Sequence, residues 1–450
     1  MKLSFRQLIL NDSNRILVSG ATQSFVLRVI SLLLTFLLNI YLARILGANG
    51  YGNYVYVLTW INVLLLLGMF GFDSTGKKYV SIYDSSDNYE KLDKYIRYSY
   101  TFVFKTSFLL CLLIIFLIRY VFSPWIHKQI VDTFYWGAVL LPINSLLSVS
   151  VSTLRGFKKI VSALYPQIVL RPALILIFVF CANLSFAKSF IRPSVVMAMN
   201  VFATVIALLF ILFHLRNALP KKFTKKPIQP SEKSEWLLVA LPLLLISGLH
   251  LILSRTDLLM LGMLSSTREA GIYGASARIA ELILFGLYAV NIIAAPLIAD
   301  LFAARRYKEL QHTISTATLG IALFSYPVAI FITLGSKWLL GFFGMEFITG
   351  KVALMILSFG HIVNISTGTV SLLMTMTGHE KSAVKVLIGA ITINILGNLI
   401  FIPRYGMEGA AVATMLSTLF WNVGLYLYVK IKLNIDSSIF GAVVYLTGQN

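Results

Sequence analysis

Residues 24–46 read SFVLRVISLLLTFLLNIYLARIL, a run whose only charges are Arg28 and Arg44. As a helix rising about 1.5 Å per residue, a run of this length crosses a hydrocarbon core about 30 Å thick. Backbone groups in lipid must be bonded within their own segment or within a closed barrel. Barrel strands alternate in polarity over about ten residues, and this run does not, so it is a helix. Ser24, Arg28, Ser31, Thr35 and Asn39 recur at steps of four, three, four and four, which puts them on one face of it.

Similar runs continue on the C-terminal side. The expected spans are 16–46, 52–72, 97–120, 134–154, 160–183, 192–215, 236–263, 271–297, 312–342, 352–376, 381–402 and 408–430. Of the 450 residues, 58% are hydrophobic and 12% charged, against about a quarter charged in soluble domains. The fold class is therefore an all-α integral membrane protein with about 12 transmembrane helices. The first run is long and lacks a small-residue cleavage site, so it is expected to be retained as a helix.

The net charge of +20 would suit a nucleic-acid partner if it were concentrated in a soluble domain. Instead, the segments on the side of the N-terminus hold 24 basic residues and the opposite segments nine. That asymmetry predicts cytoplasmic termini, and it accounts for much of the charge without nucleic acid. Cys111 and Cys181 fall in apolar runs and read as small apolar residues, with no disulfide or metal role.

The two halves read as a parallel repeat. Tyr51-Gly52 follows the first span and Tyr273-Gly274 the seventh; Gly156 follows the fourth and Gly378 the tenth, both pairs at an offset of 222. This predicts two six-helix bundles, 1–215 and 236–450, joined by a basic linker, 216–235, in which Pro220, Pro227 and Pro230 oppose helix. Proteins with this plan bind substrate between the halves and alternate its exposure.

Charge inside a membrane is costly and marks function or a polar cavity. The charged residues within spans are Arg28, Lys105, Arg171, Arg255, Asp257, Arg278 and Glu281, five basic and two acidic. Ser247, His250, Ser254 and Asp257 form a stripe on span seven; Arg278, Glu281, Tyr288 and Asn291 mark span eight; His361 and Asn364 begin a stripe on span ten. The expected site is thus a cationic cavity of Arg28, Arg278, Arg255 and Arg171, with Ser24, Ser31, Asn39, His250, Ser254, His361 and Asn364 as its polar lining. Polar stripes also glue helices together without any ligand. Lys105 lies near a span end, where its ammonium can snorkel to the surface. Guanidinium groups hold phosphate through a planar fork, so a pyrophosphate-bearing substrate suits such a cavity better than an organic cation.

No site for chemistry emerges. Gly47, Gly50 and Gly52 follow a membrane helix and read as a turn; there is no Walker sequence, and His379-Glu380 does not continue to a second histidine. No enzyme activity, cofactor or metal is expected. Movement would draw on a gradient, with Asp257 and Glu281 as the candidates for ion coupling.

Five segments carry a family resemblance: YLARILGANGYGNY at 41–54, RTDLLMLG at 255–262, AGIYGASAR at 270–278, MTGHEK at 376–381 and IPRYGMEGAAVAT at 402–414. In this order they resemble the polysaccharide-unit (Wzx-type) flippases of the multidrug/oligosaccharidyl-lipid/polysaccharide exporter superfamily. The resemblance implies two bundles around a cleft and translocation of an undecaprenyl-pyrophosphate-linked oligosaccharide repeat unit to the outer leaflet for O-antigen, capsule or exopolysaccharide. It implies that Arg28 and Arg278 hold the pyrophosphate, that membrane lipid is a partner, and that polysaccharide polymerase and chain-length proteins work alongside. Lipid-II flippases of the superfamily have two further C-terminal helices, which makes that cargo a poorer fit.

Two rival readings remain. A multidrug exporter of the same superfamily takes organic cations and needs acidic cavity residues, which the basic excess disfavours. A polysaccharide polymerase or ligase places its chemistry on a large outer loop, and the outer loops here are about 20 residues or shorter by the span lengths above.

Overall fold

Gly47 adopts φ 65° and ψ 176°, a conformation open to glycine and costly for residues with a Cβ, and there the chain turns sharply inside a long helix, α1 (Asp12–Met69). Gly406, at φ 54° and ψ −131°, does the same inside the last long helix. Each break divides one long helix into two spans. In this computed structural model the backbone is described over residues 12–124, 127–185, 191–220 and 226–447, with the side chains of 12–22, 24 and 25 outside that description. The described residues contain helices and no strands. Among the described residues, ten helices are long and apolar enough to cross a membrane. Two of these, Val26–Met69 and Glu380–Leu433, contain the breaks at Gly47 and Gly406, so together they carry the twelve expected spans.

Contacts divide the chain into two compact units. One comprises Met1–Leu46 with Val57–Gly248, the other Gly47–Tyr56 with Leu249–Asn450. In the first unit, α1 is followed by α2 (Phe72–Ser85), α3 (Tyr89–Leu117), α4 (Lys128–Gly156), α5 (Ile160–Tyr165), α6 (Arg171–Ser185), α7 (Pro193–Ala218) and α8 (Pro230–Leu264), the last shared with the second unit. Asn88 caps α3 by accepting the Lys91 amide at 3.1 Å.

The linker is shorter than expected, because α8 begins at Pro230. Proline is favoured in a first helical turn, where its missing N–H bonds nothing. Six residues on, Trp236 is buried in the first unit among Phe72, Tyr79 and Tyr95, and its indole N–H donates to the Tyr83 hydroxyl at 3.1 Å. Tertiary burial therefore draws the start of α8 into a unit that the sequence had ended at residue 215.

In the second unit α8 leads to α9 (Thr267–Glu281), α10 (Phe285–Ala303), α11 (Tyr307–Leu334) and the short α12 (Ser336–Gly341), then α13 (Lys351–Thr367), α14 (Val370–Met376), α15 (Glu380–Tyr428) and α16 (Ile439–Thr447). The expected ninth span ends at Leu334, and the tenth is broken at Gly368. Helix α16 follows the last expected span and is tied to α11 through Asp436, whose backbone exchanges hydrogen bonds with the Gln311 side chain.

Among the residues of positive φ, Asp87 and Lys158 in the first unit and Arg305 and Gly378 in the second each close a turn between helices. Their offsets are 218 and 220. The expected pairing of Gly156 with Gly378 is displaced by two residues, since Gly156 ends α4 while Gly378 is the turn itself. Asn200 and Asn422, at an offset of 222, are both buried. Large apolar side chains such as Leu109, Leu184, Phe213, Leu323 and Leu334 lie exposed on the helices, as a lipid-facing surface requires.

Candidate functional site

In the first unit the polar stripe of α1 separates by depth. Ser24 lies outside the described side chains, Arg28 is exposed, Ser31 is half-buried and Asn39 is buried. The Asn39 amide donates to the Thr35 carbonyl at 2.6 Å. Arg28 forms no ion pair within 4 Å among the described residues, and another cation, Arg155 at the end of α4, lies within its Coulombic reach.

Arg171 differs. Pro166 and Pro172 bracket a widened π-turn over Pro166–Leu170, which opens the helix just ahead of it. The Arg171 guanidinium reaches Asn200 Oδ1 through Nε at 3.0 Å and a terminal nitrogen at 2.9 Å, and donates to Asn144 Oδ1 at 3.1 Å. Two amide oxygens on α4 and α7 thus bind a cation that the sequence offers to a ligand. They come from two other helices and match the guanidinium fork. Arg171 is built into the first unit.

In the second unit the span-seven stripe does not hold together. His250 and Ser254 are exposed, while Asp257 is buried. Three residues of helix turn about 300°, which sets Asp257 about 60° from Ser254 and directs it inward. His250 meets Trp421 edge to face, and the Ser254 hydroxyl donates to the Leu251 carbonyl at 3.1 Å. Asp257 accepts at Oδ1 from Asn394 Nδ2 at 2.7 Å and Asn398 Nδ2 at 2.8 Å. At Oδ2 it accepts from the Tyr273 hydroxyl at 3.1 Å and from the Thr414 hydroxyl. Asn398 keeps a buried Oδ1 with no hydrogen-bond partner. The carboxylate is therefore solvated by neutral dipoles from α9 and α15, beside one spare oxygen acceptor.

Arg255, half-buried, lies within Coulombic reach of Glu281 and of Arg278, the latter in the last turn of α9. Neither arginine forms an ion pair within 4 Å among the described residues, where the ion pairs involve other basic groups. Glu281 is exposed. On α13, His361 is half-buried with an unpartnered Nδ1, and Asn364 is half-buried.

Sequence reading missed the partners: Asn144 and Asn200 around Arg171, and Tyr273, Asn394, Asn398 and Thr414 around Asp257. One signal was present. Asn394 and Asn398 stand at i, i+4 in an otherwise apolar stretch, so they share a helix face, and buried amides need partners.

The model of a family described as polysaccharide biosynthesis protein matches residues 17–302, more than half of the chain. The chain belongs to this family. The MatE family model matches residues 242–400 in addition. An uncharacterized membrane protein of Methanocaldococcus jannaschii is 24% identical over 226 residues, 50% of this chain and 52% of that protein. The chain thus spans about half the length of this curated relative.

Two solved structures share the fold closely. A multidrug resistance MATE family transporter of the MOP superfamily, in an inward-facing conformation, superposes with a TM-score of 0.70 at 15% identity, covering 90% of this chain and 94% of that one. The lipid II flippase MurJ, in an inward closed conformation, gives 0.69 at 16%, covering 96% and 93%. A MOP superfamily transporter from Pyrococcus furiosus gives 0.60 at 15%, covering 95% and 97%. At such identities these structures speak for the fold: this family member has the all-helical, twelve-span architecture of the MOP superfamily.

Proposed function

We propose that the protein is a flippase that carries undecaprenyl-pyrophosphate-linked oligosaccharide repeat units from the inner to the outer leaflet of a bacterial cytoplasmic membrane by alternating access. The observation that carries this reading is the set of guanidinium groups in membrane helices that form no ion pair within 4 Å among the described residues: Arg28 in the first unit, and Arg255 and Arg278 in the second. Unpaired cations at membrane depth are expensive, and a diphosphate is the anion whose charge and oxygen geometry match guanidinium forks. Membership of a polysaccharide biosynthesis family supports a saccharide-bearing cargo. Both termini face the cytoplasm in this reading, and polymerase and chain-length proteins receive the product. The reaction needs no covalent chemistry from this chain.

Asp257 is the residue we assign to ion coupling. Its carboxylate, with the spare Asn398 Oδ1 and the Thr414 hydroxyl, gathers hard oxygen donors of the kind that hold a proton or a small cation. Glu281, exposed and beside Arg255, is the weaker of the two coupling candidates.

The MatE match over 242–400 favours a second reading, export of organic cations. A binding experiment separates them. The purified full chain in nanodiscs is expected to bind undecaprenyl diphosphate, and Arg28→Gln to bind it about tenfold or more weakly, as loss of a charge-assisted hydrogen bond implies. Binding of a lipophilic organic cation with no affinity for the diphosphate would overturn the flippase reading.

A further inference from the structure

A second group of cations in the first unit has no role in the account above. Lys77 follows Gly76 on α2, and Arg155 precedes Gly156 on α4. These two glycines mark the place where α2 and α4 touch. A Cβ at Gly156 would lie 2.6 Å from the Val80 side chain and 3.0 Å from the Gly76 carbonyl oxygen, and one at Gly76 would strike Ser152. Lys77 and Arg155 therefore flank a single close contact between helices. Leu27 packs on the apolar cluster that contains Leu154, which brings the next residue of α1, Arg28, to the same end of α4. The charges register this proximity: Lys77 feels Arg155, and Arg155 feels Arg28.

The three cations have little to neutralise them. Asp73 is the acidic group within reach of Lys77. One of its oxygens accepts from the Ser74 hydroxyl at 3.3 Å, and the other is buried with no hydrogen-bond partner. Lys77, Arg155 and Arg28 form no ion pair within 4 Å among the described residues. The same unit neutralises other cations carefully. Lys94 lies 3.1 Å from both Glu90 and Glu232, Arg97 is 2.9 Å from Asp93, and Lys226 is 2.6 Å from Glu90. Those three cations meet acids directly, and Arg171 is held by asparagine oxygens; Lys77, Arg155 and Arg28 instead lie near one another without an ion pair among the described residues. Like charges brought together repel unless an anion joins them.

We propose that Lys77 and Arg155 form an entry site for a phosphate-bearing lipid headgroup, a diphosphate, which they receive at the cytoplasmic end of the first unit and pass to Arg28. The inference rests on the flippase reading for its cargo and orientation. A diphosphate offers two charged phosphoryl groups with several acceptor oxygens. The half-buried Arg155 fork fixes one of them in two directions, and the Lys77 ammonium follows the other as a mobile point charge. A phospholipid phosphodiester presents a single charge and fewer free oxygens, and fills only one of these two positions.

The test uses the full chain in phosphatidylcholine nanodiscs with three probes: undecaprenyl diphosphate, inorganic pyrophosphate, and added phosphatidylglycerol. Arg155→Gln and Lys77→Gln are each expected to weaken undecaprenyl diphosphate binding about tenfold, as loss of a charge-assisted contact implies, with the pair together weaker still. Phosphatidylglycerol association is expected to change less than twofold, and Arg155→Lys to recover only part of the loss because a point charge replaces the fork. Unchanged diphosphate binding in both Gln variants overturns the proposal. Equal losses for phosphatidylglycerol and the diphosphate overturn it too, since the cations would then read any anionic lipid surface. If wild type binds inorganic pyrophosphate through Lys77 and Arg155 but ignores undecaprenyl diphosphate, the flippase reading fails while the anion site stands.

Discussion

Arg171 in the first unit and Asp257 in the second are both charges held by asparagines, with opposite polarity. Arg171 donates to the amide oxygens of Asn144 and Asn200. Asp257 accepts from the amide nitrogens of Asn394 and Asn398, and from two hydroxyls. An amide can serve either charge because it carries an acceptor at one end and two donors at the other. The difference lies in what is left over. The guanidinium of Arg171 is clamped from two helices, an arrangement that braces α4, α6 and α7. The carboxylate of Asp257 lies beside an unused oxygen, Asn398 Oδ1, and beside hydroxyls that can rotate. The first cluster uses its amide oxygens on the cation, and the second leaves one amide oxygen without a partner.

The largest test of this contrast is Asp257→Ala. It removes the shared acceptor of two buried amides and two hydroxyls, and is expected to cost about 3 kcal/mol, read as a lowered unfolding midpoint in detergent. Asp257→Asn, which keeps the shape, should fold better yet abolish any dependence of activity on pH or sodium. If that dependence persists in Asp257→Asn, the second cluster is only another brace.

Arg171→Met comes next, at about 1–3 kcal/mol for the guanidinium hydrogen bonds lost at Asn144 and Asn200. Its effect should appear in stability, with the affinity for diphosphate unchanged. Arg171→Lys should recover little, because a point charge cannot serve both amides in the guanidinium geometry. A specific loss of diphosphate affinity in Arg171→Met would move this residue from brace to binding site.

Asn398→Ala sharpens the comparison further. It removes one donor to Asp257 together with the spare acceptor, so ion dependence should shift more than stability, which falls by about 1.5–3 kcal/mol. A shift in stability alone would remove Asn398 from the coupling group.

The smallest expected effect lies outside the membrane, at Asp436. Burial alone would raise its carboxyl, but hydrogen bonds from Ser438 and the charge of Lys430 outweigh that and hold it below its ordinary value. A depressed carboxyl stabilises the fold above its unfolded value and stops doing so as pH falls through the folded one. Asp436→Asn should therefore be slightly less stable than wild type at neutral pH. The gap should close once the pH falls well below about 4, and thermal unfolding across that range would show it.

Much of this architecture was legible in the amino-acid order, because a membrane leaves few options. Runs such as 24–46 must be helices, and glycines such as Gly47 and Gly406 mark where long helices can turn. What stayed hidden depended on burial between distant segments. Trp236 draws the start of α8 into the first unit through contacts with α2 and α3, which no local pattern announces. The break at Gly368 and the docking of α16 on α11 were hidden for the same reason. The cavity residues fared unevenly. Charges inside spans were visible, but whether a charge meets a partner depends on the facing helix. Arg171 looked as available as Arg28 until Asn144 and Asn200 were in place. Asp257 looked like part of one stripe with His250 and Ser254 until helix geometry turned it inward.

The most direct test of the flippase reading is the leaflet that holds the lipid-linked oligosaccharide. In cells lacking the protein and any redundant flippase, the undecaprenyl-pyrophosphate-linked repeat unit should accumulate on the cytoplasmic leaflet, as reported by a membrane-impermeant glycan probe on oriented vesicles. The wild-type chain should restore outer-leaflet exposure, and Arg28→Ala should restore little of it. An unchanged leaflet distribution in its absence would contradict the account and leave cation export as the better reading of this fold.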